Sequence, residues 1–153
     1  SDLISAGYPA SALISAGYPL SALRSAGYPL SDLAEYEKDI ESIPMVEKPY
    51  TKIWENIQNK KRIFKQSKWG SETPIDEERL CKTPMCTAGT IVSMAGRVGW
   101  ELKDKYGWPV AASIIHNKWC PDLPQQNYGS IPDEWALAYI EEMATREANK
   151  SAN

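Results

Sequence analysis

The sequence predicts an all-α protein, a short-helix repeat arm followed by a compact helical domain, and three observations carry that reading. Apolar residues recur at i, i+3, i+4 spacing along most of the chain. Proline and glycine fall where helices begin and end. No segment reads as a well-formed strand.

The strongest pattern is a period of ten. Residues 1–10 read SDLISAGYPA, 11–20 SALISAGYPL, 21–30 SALRSAGYPL, and SDL restarts at 31–33. Leu3, Leu13, Leu23 and Leu33 share one register, as do Tyr8, Tyr18 and Tyr28. In the helical reading Pro9, Pro19 and Pro29 open short helices that Gly17 and Gly27 close. Units this short cannot stand alone and must stack on neighbours. The alternative divides each ten into two fives, as in a small pentapeptide-type β-helix. Proline in every second five would then remove a ladder donor, so the helical form is preferred.

Beyond the repeats, Ser31 can cap a helix with Leu33, Tyr36 and Ile40 on one stripe, ended by Pro44. Residues 42–50, with Pro44 and Pro49, read as a linker. A helix is expected over 51–66 with Ile53, Trp54, Ile57 and Phe64 inward, and a short one from Thr73 to Leu80. Thr83-Pro84 opens a helix broken at Gly96 and Gly99, Trp100–Tyr106 continues to Gly107, and Pro109 opens another through Trp119. A loop covers 120–131, and Pro132 with Asp133 and Glu134 opens a last helix to about 148. Cys86, Gly89, Ser93 and Gly96 form a stripe of small residues that lets another backbone approach, expected to be the helix over 109–119. The boundaries are an arm at 1–33, a helix and linker at 34–50, a helical domain at 51–148 and a tail at 149–153.

Composition narrows the function. The 153 residues are 42% hydrophobic and 24% charged, which is globular and argues against disorder. Six Trp and eight Tyr against one Phe make the aromatic supply amphipathic, suited to a half-wet core or a contact surface. A net charge of −3 argues against a bulk polyanion binder. No apolar run approaches the ~18 residues that span a bilayer, and the first residues lack the basic start and apolar stretch expected of a signal peptide. Ser1 starts the repeat in register and is read as the start after Met removal. Three cysteines cannot all pair within one chain, which favours a reducing compartment. The expected location is the cytoplasm or the interior of a virion or other large assembly.

Three constellations are candidates for chemistry. Cys81, Cys86, His116 and Cys120 have the spacing of a closed tetrahedral zinc site, C-x4-C followed by H-x3-C. The competing and preferred reading makes Cys86 a small core residue, Cys81 and Cys120 loop thiols, and His116 a hydrogen-bonded helix histidine. Zinc is therefore kept only as the alternative to no cofactor. Lys48, Lys52, Lys60, Lys61, Arg62, Lys65 and Lys68, interleaved with Trp54, Phe64 and Trp69, supply the charge and rings that single-stranded nucleic acid requires. A solvated lysine face explains the same pattern more simply. A Cys-His nucleophile pair lacks a nameable third partner, and no G-x-S-x-G, phosphate loop or dinucleotide glycine pattern occurs. An enzyme is not expected.

The stretch Cys81-Lys-Thr-Pro-Met-Cys-Thr-Ala-Gly89, with Lys68-Trp69-Gly70 ahead and Gly99-Trp100-Glu-Leu-Lys-Asp-Lys-Tyr-Gly107 after it, resembles an uncharacterised bacterial and phage helical domain with a C-G-T-x-x-C-x-A-G-like motif. Lys82 stands where that motif has Gly. The resemblance spans roughly 68–148 and implies two cysteines near a helix start, with no catalytic residue. The arm resembles AGY/AGF-type decapeptide arrays. Together these point to a non-enzymatic structural or adaptor protein, of a kind found in phage particles. It would dock on a protein partner or sister subunit through an arm face of Leu3, Tyr8, Leu13, Tyr18, Leu23 and Tyr28. The alternatives are a zinc-stabilised binding domain and a single-stranded nucleic-acid binder.

Overall fold

The computed structural model describes residues 7–15, 18, 20–60, 63–65, 68–70, 74, 85–126, 128 and 131–152, and the architecture is helical. The arm supplies α1 (Ala10–Ser15), α2 (Leu20–Ser25) and α3 (Leu30–Ser42). The repeat is therefore a chain of short helices and not a β-helix. The turn after α2 shows why. Gly27 takes a φ of 93°, Tyr28 N donates to Leu23 O at 3.2 Å and Gly27 N to Arg24 O at 3.1 Å. This is a Schellman closure, which needs a residue tolerant of the left-handed region at that point. The same bond recurs one unit earlier, from Tyr18 N to Leu13 O at 2.9 Å.

Leu13, Leu23 and Leu33 are buried at 5%, 0% and 0% exposure, so the ten-residue register directs one leucine per unit into a common core. That core is shared with the body: α1 and α3 pack on α7 (Trp108–Trp119), and α2 packs on α3. Side chains fix the junction. Tyr36 stacks on Tyr106 with centroids 5.2 Å apart, Tyr106 Oη donates to Asp39 at 2.5 Å, and Lys105 bridges Asp39 and Glu35. Trp119 Nε1 donates to Pro44 O at 2.9 Å and Lys118 Nζ to Ile40 O at 2.6 Å.

In the body α4 is Pro49–Gln58, α5 Thr87–Met94, α6 Arg97–Tyr106 and α8 Asp133–Ala152. Helices α5, α6 and α7 pack against one another, and α4 lies along α8. Gly96 (φ 68°) and Gly107 (φ 87°) stand at the α5–α6 and α6–α7 corners, where the chain changes direction as the glycines predict. The helix expected over 51–66 is shorter than its apolar spacing implied. It ends at Gln58, Lys60 turns left-handed (φ 58°), and Phe64 instead forms a parallel bridge with Met85. The helix expected over Thr73–Leu80 falls outside the described residues, Pro74 excepted.

The small-residue stripe has a neighbour besides the expected helix. Helix α5 does pack on α7. The backbone that closes on Gly89, however, is the carbonyl of Trp69, which a Cβ at Gly89 would overlap. Cys86 N donates to Lys68 O at 2.5 Å and Trp69 stacks on Trp108 at 6.2 Å and 8°. At Gly89 the stripe thus accommodates a strap, the segment 68–70.

Candidate functional site

A cluster of buried polar groups lies where the start of α4, the end of α7, the loop 120–128 and the second half of α8 meet. Helix α4 begins without a cap of its own. Lys48 occupies the cap position in the left-handed region (φ 48°, ψ 57°) with no side-chain hydrogen bond to the helix, and Pro49 is the first helical residue. The amides that follow are taken by Glu147 of α8. Its Oε2 accepts from Tyr50 N at 3.2 Å, and its Oε1 from Thr51 N at 2.8 Å and Thr51 Oγ1 at 2.9 Å. A carboxylate at a helix N-terminus satisfies orphan donors and meets the positive end of the dipole.

Tyr50, 1% exposed, then points its hydroxyl at His116 Nδ1, 2.6 Å away. His116 Nε2 lies 2.8 Å from Leu123 O. A carbonyl only accepts, so Nε2 carries the proton, Nδ1 is the acceptor and Tyr50 donates. The hydroxyl of Tyr139 lies 3.2 Å from that of Tyr50 and donates to Pro124 O at 2.5 Å. Burial lowers the His116 pKa below its ordinary value, opposed by the Leu123 carbonyl and Glu147, so the ring is neutral. Burial likewise raises the pKa of Tyr50, and that of Tyr139 to about 12.

Cys120 closes the C-terminus of α7, its Sγ 3.7 Å from Glu147 Oε2. Burial, then the neighbouring Glu147 charge, push its thiol up to about 12, so it is protonated and a poor nucleophile. A cleft of about 290 Å3 adjoins it, lined by Lys48, Trp119, Cys120, Glu147 and Lys150 among others, with a Lys150–Asp122 ion pair at its rim. The arrangement is a set of neutral or internally matched groups that joins α4, α7 and α8.

The structure treats the sequence candidates unequally. His116 is 1% exposed with both ring nitrogens engaged, and Cys86 is buried with its Sγ accepting from Gly89 N at 3.4 Å, capping α5. Burial raises the Cys86 thiol above its ordinary pKa. Cys81 lies outside the described residues, and no three His, Cys, Asp or Glu side chains converge as metal ligands among those described. The proposed set of Cys81, Cys86, His116 and Cys120 is thus not assembled by the described residues: His116 already has two partners, and Cys120 faces a carboxylate.

Among the described residues the basic and aromatic segment keeps its lysines and one ring, Trp69 (38% exposed), at the surface. Lys48, Lys52, Lys60, Lys65 and Lys68 are exposed, but Trp54 and Phe64 pack on the core and Trp69 has Trp108 across one face. Lys61 and Arg62 are outside the described residues. In the arm, Leu13, Leu23 and Tyr28 are buried in the chain's own core, which corrects their assignment to a partner-facing surface. The cause is the packing of α1 and α3 on α7. Tyr8 (54% exposed) and Tyr18 (41%) do face outward, and Leu3 lies outside the described residues.

Sequence reading did not identify Glu147, Tyr50 or Tyr139. One signal was available: no Ser, Thr, Asp or Asn precedes Pro49, and a buried helix start without a local cap requires a distant one. Among the described residues no helix is long and apolar enough to cross a membrane. No family model, characterised protein or solved structure matches this chain.

Proposed function

We propose that this chain is a non-enzymatic interaction protein that docks on a protein partner through the outer edge of its repeat arm. One observation carries the reading: the same residue type at the same repeat position is buried at Tyr28 but 54% and 41% exposed at Tyr8 and Tyr18. Leu13, Leu23 and Tyr28 anchor the arm, so the outward tyrosines are held on a fixed frame. Tyrosine on a rigid frame supplies contact area at low entropic cost, which is the character of an interface anchor. The buried centre supports a structural role, because its thiol is protonated and its imidazole has both nitrogens occupied.

Deleting the arm would strip cover from α7, so the test uses point substitutions. The Tyr8→Ser/Tyr18→Ser double variant is compared with the wild type in quantitative affinity purification from the native host. A co-purifying protein lost from the variant, while the two melt within a few degrees of each other, supports docking. An identical set of co-purifying proteins refutes it.

A further inference from the structure

We infer that the polar cluster around Tyr50 binds an internal water molecule, held by the hydroxyls of Tyr128 and Tyr50 and closed in by Gln126. Two independent observations point to it. The first is a set of buried polar atoms that no protein group satisfies. Tyr128 Oη and both amide atoms of Gln126, Nε2 and Oε1, are shielded from solvent and make no hydrogen bond with the protein. The two residues are only 6% and 7% exposed. Buried polar atoms nearly always find a partner, in the protein or in ordered water.

The second is a count of protons. Tyr50 gives its one hydroxyl proton to His116 Nδ1 at 2.6 Å, because the imidazole proton sits on Nε2 and is given to Leu123 O at 2.8 Å. Tyr139 gives its own to Pro124 O at 2.5 Å. The 3.2 Å contact between the Tyr50 and Tyr139 hydroxyls therefore sets lone pair against lone pair, with no proton to share. Tyr128 has the proton they lack, and its hydroxyl neighbours that of Tyr50 outside bonding geometry. A guest here must accept one proton and donate another, and water is the smallest molecule that does both. It accepts from Tyr128 Oη, donates to Tyr50 Oη, and donates again to Oε1 of Gln126, whose backbone amide faces Tyr139 Oη. Three partners are the usual complement of an internal water. Donors then run without a break from Tyr128 through the water, Tyr50 and His116 to the Leu123 carbonyl.

Oxygen-17 magnetic relaxation dispersion, which registers water held inside a protein for longer than its tumbling time, tests this on the full chain. The Tyr128→Phe and Gln126→Met variants are measured alongside. The wild type is expected to show long-lived internal water, and the dispersion amplitude should fall in Tyr128→Phe by the share of a single molecule. Gln126→Met, which removes one partner, should shorten the residence time. The imidazole nitrogen shifts of His116, the only histidine, verify that each variant keeps the Tyr50–His116–Leu123 arrangement. A wild type without long-lived water overturns the inference, as does a Tyr128→Phe variant with native shifts and undiminished amplitude. Should Tyr128→Phe fail to fold, Gln126→Met carries the comparison, and an unchanged amplitude and residence time there overturn it equally.

Discussion

Glu147 caps a helix that begins 98 residues earlier in the chain. Its Oε1 lies 2.8 Å from the amide of Thr51 and its Oε2 3.2 Å from that of Tyr50, the second and third positions of α4. The start of α4 and the second half of α8 therefore stabilise each other. Replacing Glu147 with Ala leaves two amides and a hydroxyl without their acceptor. A loss of about 2 kcal/mol is expected in urea unfolding. Glu147→Gln keeps one acceptor oxygen and should lose less. Equal stability of Glu147→Ala and the wild type would show that the cap carries no energy.

The histidine makes stability depend on pH in a definite direction. Its pKa is lowered on folding, so between the folded value and the ordinary 6.5 the unfolded chain binds more protons. The contribution is fully present above about pH 6.5 and is lost as pH falls towards the folded pKa, with a limiting slope of about 1.4 kcal/mol per pH unit. Denaturation curves of the wild type and His116→Gln between pH 7.5 and 5 should differ in slope, with the wild type steeper. Parallel curves would contradict the neutral, buried ring.

The thiols of Cys86 and Cys120 are held up by burial, Cys120 to about 12. In a Cys81→Ser background at pH 8, both should react with an aromatic disulfide reagent orders of magnitude more slowly in the native protein than in urea. Rapid labelling of native Cys120 would mean that its thiolate is accessible.

Gly89 lies directly under the Trp69 carbonyl. Gly89→Ala must displace the strap at 68–70, at a cost of about 1–3 kcal/mol. The displacement should register as a change in tryptophan fluorescence, because Trp69 would leave its stack on Trp108. A variant with native stability and emission would show that the strap can yield freely.

Two residues of the repeat test which side of the arm is structural. Leu23→Ala, at a fully buried position, should cost about 2–5 kcal/mol, whereas Tyr18→Ser should stay within about 0.5 kcal/mol of the wild type. Comparable losses would mean that the exposed edge also bears on the fold.

Much of the helical pattern is legible in the residues, because its causes are local. The Ala-Gly-Tyr-Pro turn at 26–29 separates α2 from α3 through Pro and Gly backbone preferences, and Gly96 and Gly107 mark two further corners. The 51–66 segment misleads for the opposite reason. Its apolar spacing continues past Gln58, but Phe64 is engaged by Met85, a partner twenty-one residues away that no local pattern encodes. The small residues at Gly89 announced a close approach without naming what approaches.

By itself the sequence determined the all-α class and the ten-residue register, both consequences of backbone preference and side-chain period within a few residues. Only the tertiary structure decided that Leu13 and Leu23 face inward while Tyr8 and Tyr18 face solvent, that Glu147 reaches Thr51, and that His116 lies between Tyr50 and Leu123. Those pairings are chosen by the shared burial of groups far apart in the chain, where the cost of an unmatched polar atom selects the partner, and local composition carries no record of that choice.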